Sequence, residues 1–329
     1  MSRKSSSPTM KDVATEAGVS LGTVSKVVNG IPVGQEYQEK VAAAIEKLDY
    51  KLNTYAQGLK SSNTNTVALL IPNTVNPFFA ELTYYINRAL SKRNFRLLLW
   101  CTDDDPQIEQ FFLGNAQQNN VDGVICLSYS GKLNFNFKTP LVTIDRQIDP
   151  SVPCITSDNF GGGQLAAKQF FALGCKKVSF MGIGSPLASE SSKRADGFRS
   201  ACDALGMECD IFNVPDGTPY GVFSDYLNKH ISGGRIDFDG IFCITDHVAR
   251  VVIHNLNKAG LEVPRDVQII GFDGIRDYAT TELICSTLVQ NIESIAEMSV
   301  ETVLSEERMG TPSLVCLPVE YAYGGTTRE

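Results

Sequence analysis

No stretch of the 329-residue chain approaches the ~18 consecutive apolar residues of a membrane span. The polar segment from Met1 to Met10 lacks the apolar region of a secretory signal. There is no C-x-x-C pair among the nine cysteines, which run from Cys101 to Cys316. An odd count without paired spacing reads as reduced, mostly buried thiols in a cytosolic protein, not as a disulfide framework. Histidine is scarce. His247 and His254 lie seven apart on one expected helix with no partner at ligand spacing, and His230 stands alone, so no metal site is expected. No Ser–His–acid set can be assembled, and no phosphate-binding G-x-x-x-x-G-K-[ST] occurs. Gly182-Ile183-Gly184 follows an expected strand, but Leu187 stands where a dinucleotide fingerprint needs its third glycine. An enzyme reading therefore has no catalytic residues to rest on, and no cofactor is implied.

Length alone suggests two or three domains, and 43% hydrophobic residues are enough for a large core. The net charge of −8 argues against nucleic-acid binding over the whole surface. The charge is uneven, however. Residues 1–65 carry 8 Lys+Arg against 6 Asp+Glu, the remainder 21 against 31. A mildly basic head on an acidic body fits DNA binding confined to the head.

Residues 9–48 read as three short helices, and the polar stretch 49–65 as a linker. Beyond it, apolar runs at Val67–Ile71, Arg96–Trp100, Val124–Leu127, Leu141–Ile144, Lys177–Met181, Gly240–Cys243 and Gln268–Gly271 alternate with helical stretches. Continuous apolar strands between helices predict parallel sheets covered on both faces. There are too many units for one sheet, so two α/β lobes are expected.

In the head, Thr9 with Asp12 three residues on predicts a capping-box variant, followed by Val13, Ala14 and Ala17 on one face. Gly18 supplies the turn and Ser20 caps a second helix. Val24, Val27 and Val28 would face inward, while Leu21, Gly22, Thr23, Ser25, Lys26 and Asn29 face out. Short, polar or cationic groups suit a helix that enters the major groove. Tyr37, Val41, Ile45 and Leu48 would form the inner stripe of a third helix.

The run from Met10 to Gly30 closely resembles the signature D-V-A-x-x-A-G-V-S-x-x-T-V-S-x-V-x-N of the lac-repressor (LacI/GalR) family. The resemblance implies that Leu21 and Gly22 stand at the family's variable base-reading positions, and that Thr23, Ser25, Lys26 and Asn29 contact phosphate and groove. Gly22 has no side chain to read a base edge, so its part is close approach. Tyr50-Lys51-Leu52-Asn53-Thr54-Tyr55-Ala56-Gln57-Gly58-Leu59 is similar to the family's hinge helix, Y-x-P-N-x-x-A-x-x-L, with Leu52 in place of proline. Asn53 would cap it and Leu59 would wedge into the minor groove; packing of Leu59 against the head is the alternative. Gly58 costs such a helix about 1 kcal/mol, so it is expected to order on DNA.

The resemblance continues through Asn76-Pro77-Phe78-Phe79, Val121-Asp122-Gly123-Val124-Ile125, Ile144-Asp145-Arg146, Arg194-Ala195-Asp196-Gly197-Phe198, Thr245-Asp246 and Ile270-Gly271-Phe272-Asp273. It implies an α/β protein with an all-α helix-turn-helix head (1–48) and a hinge helix and linker (49–65). A two-lobed periplasmic-binding-protein-like, doubly wound parallel-sheet core (66–329) follows. The N-lobe would span about 66–160 and 291–318, the C-lobe about 161–290 and 319–329. A small ligand would sit between the lobes, at the carboxyl ends of strands. Asp145, Arg146, Arg194, Thr245 and Asp273 are the polar candidates; Phe78, Phe79 and Tyr220 would offer aromatic faces. Core packing of Phe78 and Phe79 and an Asp145–Arg146 ion pair remain alternatives, and Thr245 replaces an asparagine common in the family. The mixture of Arg146 and Arg194 with Asp145 and Asp273 favours a sugar or sugar acid over a purine.

The implied function is a cytoplasmic repressor of carbohydrate-utilisation genes. It would bind a pseudo-palindromic operator as a homodimer and be released by its effector; the chain stops without leucine heptads that would add a tetramer contact. Alternatives are a corepressor-activated regulator with a purine or phosphoprotein co-effector, and a sugar-modifying or NAD-dependent α/β enzyme. A transport binding protein would share the body but not the head.

Overall fold

The computed structural model describes residues 8–28, 30–50, 64–116, 121–127, 139–184, 189–305 and 313–329. Two compact units result, Met1–Thr64 and Asn65–Glu329. Among the described residues, no helix is long and apolar enough to cross a membrane.

The first unit holds α1 (Met10–Ala17), α2 (Leu21–Val28) and α3 (Gln35–Lys47). The capping box forms: Thr9 Oγ1 accepts from the Asp12 amide at 3.4 Å, and the Asp12 carboxylate accepts from the Thr9 amide at 2.8 Å. Gly18, at φ 65°, closes α1 in the left-handed region that favours glycine. Ser20 Oγ then accepts from the Thr23 amide at 3.1 Å and opens α2. Val13, Ala14, Val24, Val41 and Ala44 form the core, with Val27, Val28, Ile45, Leu48 and Tyr50 packed partly buried against it. Tyr37 departs from the expected inner stripe. It lies in the first turn of α3 and is 49% exposed, because the buried face of that helix begins one turn later, at Val41.

The second unit opens with β1 (Thr66–Ile71), α4 (Pro77–Lys92), β2 (Arg96–Cys101), α5 (Pro106–Asn115), β3 (Gly123–Cys126), β4 (Leu141–Ile144) and β5 (Cys154–Ser157). It continues with α6 (Asn159–Ala172), β6 (Lys177–Gly184), α7 (Lys193–Leu205), β7 (Glu208–Pro215), α8 (Gly221–His230), β8 (Ile231–Ser232), β9 (Arg235–Ile236) and β10 (Gly240–Cys243). Last come α9 (Asp246–Lys258), β11 (Gln268–Asp273), β12 (Thr287–Val289), α10 (Ile292–Leu304), β13 (Leu314–Leu317) and β14 (Glu320–Ala322).

One sheet has the order β13-β5-β4-β3-β1-β2, all parallel; the other has β14-β12-β11-β10-β6-β7, parallel except for the antiparallel β12–β14 pair. β8 and β9 make a small separate hairpin. The chain passes between the sheets three times: from β5 to β6, from β12 through α10 to β13, and from β13 to β14. β1 illustrates why these strands read as unbroken apolar runs. Val67, Leu69 and Ile71 pack in one cluster with α4 and α10, while Ala68 and Leu70 pack in another with Leu113 of α5. In the other lobe Phe170, Phe180, Phe198, Phe242 and Phe272 share one cluster.

Where strands escaped the sequence pattern, they are short or at an edge. β7 ends its sheet, alternates between exposed and half-buried positions and finishes at Pro215, so it shows no apolar run. β13 and β14 are the opposite edges of the two sheets.

Candidate functional site

Residues just past the carboxyl ends of β1, β2, β4, β7, β10 and β12, with Ile183 and Gly184 at the end of β6 and Asp273 at the end of β11, line one cleft of about 710 Å³ between the two sheets. Of the residues singled out from the sequence, Phe78, Phe79, Asp145, Arg194, Tyr220, Thr245 and Asp273 meet there. Arg146 does not. It is buried, and its charge opposes the burial-driven rise of the Cys126 thiol.

The aromatic wall is set by local capping. Asn73 Oδ1 accepts from the amides of Val75 and Asn76 at 3.0 and 3.1 Å, and Asn76 caps α4 by accepting from Phe78 N at 3.0 Å. Pro77 then fixes the first helical position. This puts Phe78 and Phe79 in the first turn, edge to face at 5.7 Å. Both are buried in the lobe's core and both line the cleft, so packing and cleft contact coexist. Tyr220, 44% exposed, stands across from them on the other lobe, edge-on to His247 at 5.1 Å.

Arg194 organises the polar floor. It sits in the first turn of α7 at 3% exposure, with its guanidinium over the Phe272 ring at 3.5 Å. Its Nε donates to Asn159 Oδ1 at 2.7 Å, and Nη1 donates to the Ile244 carbonyl at 2.6 Å. The Asp273 carboxylate lies 3.8 Å from Nη1. Asp273 is held in turn by Gln290, whose Nε2 donates to Oδ1 at 2.8 Å while its Oε1 accepts from Ser157 Oγ at 2.7 Å. One side chain at a crossing point thus joins strands of both sheets. Asp145 accepts from Thr156 Oγ1 at 2.7 Å. Burial pushes Asp145 and Asp273 above the usual carboxylate range, Asp273 well above, and the Arg194 charge opposes both shifts.

Sequence reasoning missed Asn73, Asp104, Asp216, His247 and Gln290, which also line the cleft. The strand-end rule that found Asp145 reaches Asp104 past β2, but it could not reach Asp216, because β7 carries no apolar run. Asp246 is a positioning residue. Its buried carboxylate accepts from the amides of Gly274 and Ile275 at 2.9 and 2.7 Å and from Thr287 Oγ1 at 2.6 Å, which fixes the turn behind Asp273. Thr245 caps α9, its Oγ1 accepting from Val248 N at 3.2 Å.

On the head, Leu21, Gly22 and Lys26 are exposed along one face of α2, with Thr23 and Ser25 half-buried beside them. Thr23 Oγ1 is 2.9 Å from Ser20 Oγ. Nothing inside the head demands Gly22: a Cβ there would meet only Ser20 Oγ, at 3.6 Å. Tyr50 packs on the head's core. Asn29, Asn53 and Leu59 lie outside the described residues.

Two family descriptions match the chain. Bacterial regulatory proteins of the lacI family match residues 9–53, and the periplasmic binding proteins and sugar binding domain of the LacI family match residues 64–305. The chain belongs to the LacI family. This regulator is 30% identical to the sucrose operon repressor of Pediococcus pentosaceus, over 97% of its own length and 99% of that protein's. It shares 26% identity and a TM-score of 0.70 with a periplasmic binding protein/LacI transcriptional regulator from Alkaliphilus metalliredigens QYMF complexed with D-xylulofuranose. That match covers 80% of the regulator and 100% of the other chain. The fold is also that of the lac repressor dimer bound to operator, with a TM-score of 0.82 over 98% and 100% of the two chains at 20% identity. The regulator is accordingly a DNA-binding transcription factor and not an enzyme.

Proposed function

We propose that this is a cytoplasmic repressor of carbohydrate-utilisation genes that binds a pseudo-palindromic operator as a homodimer and is released by a sugar in the interlobe cleft. The observation that carries the effector half is the cleft itself. Buried carboxylates and a guanidinium, each held by neighbouring hydrogen bonds, stand opposite aromatic rings, which suits hydroxyls on one side and C–H faces on the other. Phe78, Phe79, Asp145, Arg194, Tyr220, Thr245 and Asp273 are the proposed contacts, joined by Gln290. The relative bound to D-xylulofuranose and the sucrose operon repressor support a sugar over a purine.

For DNA, Leu21 and Gly22 select the half-site, and Thr23, Ser25, Lys26 and Asn29 hold backbone and groove. Residues 1–48 form the reading head. Residues 49–65 form the hinge, with Tyr50 at its start, Asn53 as its cap and Leu59 as its wedge. Effector binding alters how the two lobes close and so the spacing of paired hinges, a coupling of typically 1–3 kcal/mol.

Thermal melting of the full chain against a panel of sugars tests the effector half. A ligand at a hundred times its Kd adds about 2.7 kcal/mol to native stability. A shift with one sugar is expected; a flat panel that includes sugars while a purine shifts the melt rejects it. For the head, Lys26→Ala should weaken binding to every DNA sequence alike and lower the slope of log affinity against log salt by about 1. A change of preferred half-site in that variant would make Lys26 a base reader instead.

A further inference from the structure

The charges around the cleft restrict the effector further. The mixture of Arg146 and Arg194 with Asp145 and Asp273 favours a sugar or sugar acid, and of these four Arg146 is not among the lining residues. Among the described lining residues one guanidinium, Arg194, stands against four carboxylates: Asp104, Asp145, Asp216 and Asp273. The Arg194 charge is already engaged with Asp273, and its N–H groups with Asn159 and Ile244. Burial and the charge of Arg250 lower the pKa of His247, which disfavours the cationic form of that ring.

Asp104 and Asp216 come from opposite lobes. Asp104 occupies a left-handed turn (φ 58°) past β2, where the neighbouring Asp103 amide donates to the Pro72 carbonyl at 2.8 Å. Asp216 follows β7, its amide donating to the Gly184 carbonyl at 3.1 Å. Partial burial raises both carboxyls; the charges of Asp103 and Glu109 add to the rise of Asp104, and the charge of Asp104 adds to that of Asp216.

We infer that the effector carries no negative charge, and that Asp104 and Asp216 enforce this by accepting from sugar hydroxyls while repelling phosphate or carboxylate groups. An ionised carboxylate only accepts hydrogen bonds, as does an ionised phosphate, so a phosphorylated sugar replaces a donor with a like charge. The inference rests on the reading of the cleft as a sugar site.

The test uses the full-length protein and matched probes: D-ribose with D-ribose 5-phosphate, sucrose with sucrose 6-phosphate, and D-glucose with D-gluconate. Calorimetric titration should find an uncharged member that binds at least about tenfold tighter than its anionic counterpart, with the gap narrowing as salt is raised. Asp104→Asn with Asp216→Asn should shrink that ratio by roughly the same factor. Should the double variant melt early, the single variants and the salt series on the native protein carry the same readout. An anionic member that binds as well as its uncharged counterpart, or a ratio the substitutions leave unchanged, overturns this inference and leaves the sugar site standing. Silence from every pair removes the sugar site, and this inference with it.

Discussion

Arg194→Ala should abolish the response to every effector and lower the stability of the core by about 3 kcal/mol. Breaking a buried pair by removing one partner typically costs 3–5 kcal/mol, roughly, because the survivor is left uncompensated. Here the survivor is Asp273, at 4% exposure, and the Ile244 carbonyl and Asn159 Oδ1 lose their donors with it. The lower end applies, since Asp273 is already pushed well above the usual carboxylate range by burial and can take a proton once the guanidinium is gone. Lysine should not restore the response. A single ammonium cannot span Asn159 and Ile244 while lying flat on Phe272. Urea unfolding measures the loss and ligand titration the response. A variant with native stability that still binds sugar would reduce Arg194 to a bystander.

Gly197→Ala should cost about 3 kcal/mol, although the same change in an open helix stabilises. A Cβ on Gly197 would lie 2.0 Å from the Phe160 carbonyl oxygen, and one on Gly163 would lie 2.1 Å from the Arg194 carbonyl oxygen. These are backbone atoms of the facing helix, so no rotamer relieves the clash and α6 must part from α7. The site is coupled to that separation, because Asn159 rides on α6 and Arg194 on α7, joined by their 2.7 Å hydrogen bond. Weaker effector binding should therefore accompany the lost stability. Gly114 is the control: a Cβ there meets nothing within 4 Å, and Gly114→Ala should stabilise α5 by up to about 1 kcal/mol. Equal midpoints for Gly197→Ala and the native protein would mean that the two helices have room to spare.

How far the sequence discloses this molecule depends on which physical signal each part leaves. Buried strands such as β1, β10 and β11 announce themselves because both faces are covered, and α1 does so through Thr9, Asp12 and Gly18, which act within a few residues of one another. The edge strand β7 leaves no such mark, and it took Asp216 out of view with it. Within the cleft, Asp145, Arg194, Thr245 and Asp273 could be located because strand ends and family spacing point to them. What could not be read was direction. Asp145 and Arg146 are adjacent, yet only Asp145 lines the cleft, while Arg146 is buried and its charge acts on Cys126. Gln290 was invisible for a related reason, since its role depends on Ser157 and Asp273 meeting from two lobes.

The most direct measurement is operator binding with and without the sugar that most stabilises the protein. An operator would be selected from random duplex DNA with the full-length protein, and its affinity followed by fluorescence anisotropy as that sugar is added. The expected result is a two-fold symmetric site bound by two protomers, with affinity falling between about 5-fold and 150-fold at saturation. Affinity that stays the same or rises, with the sugar demonstrably bound, would contradict release by an effector in the cleft.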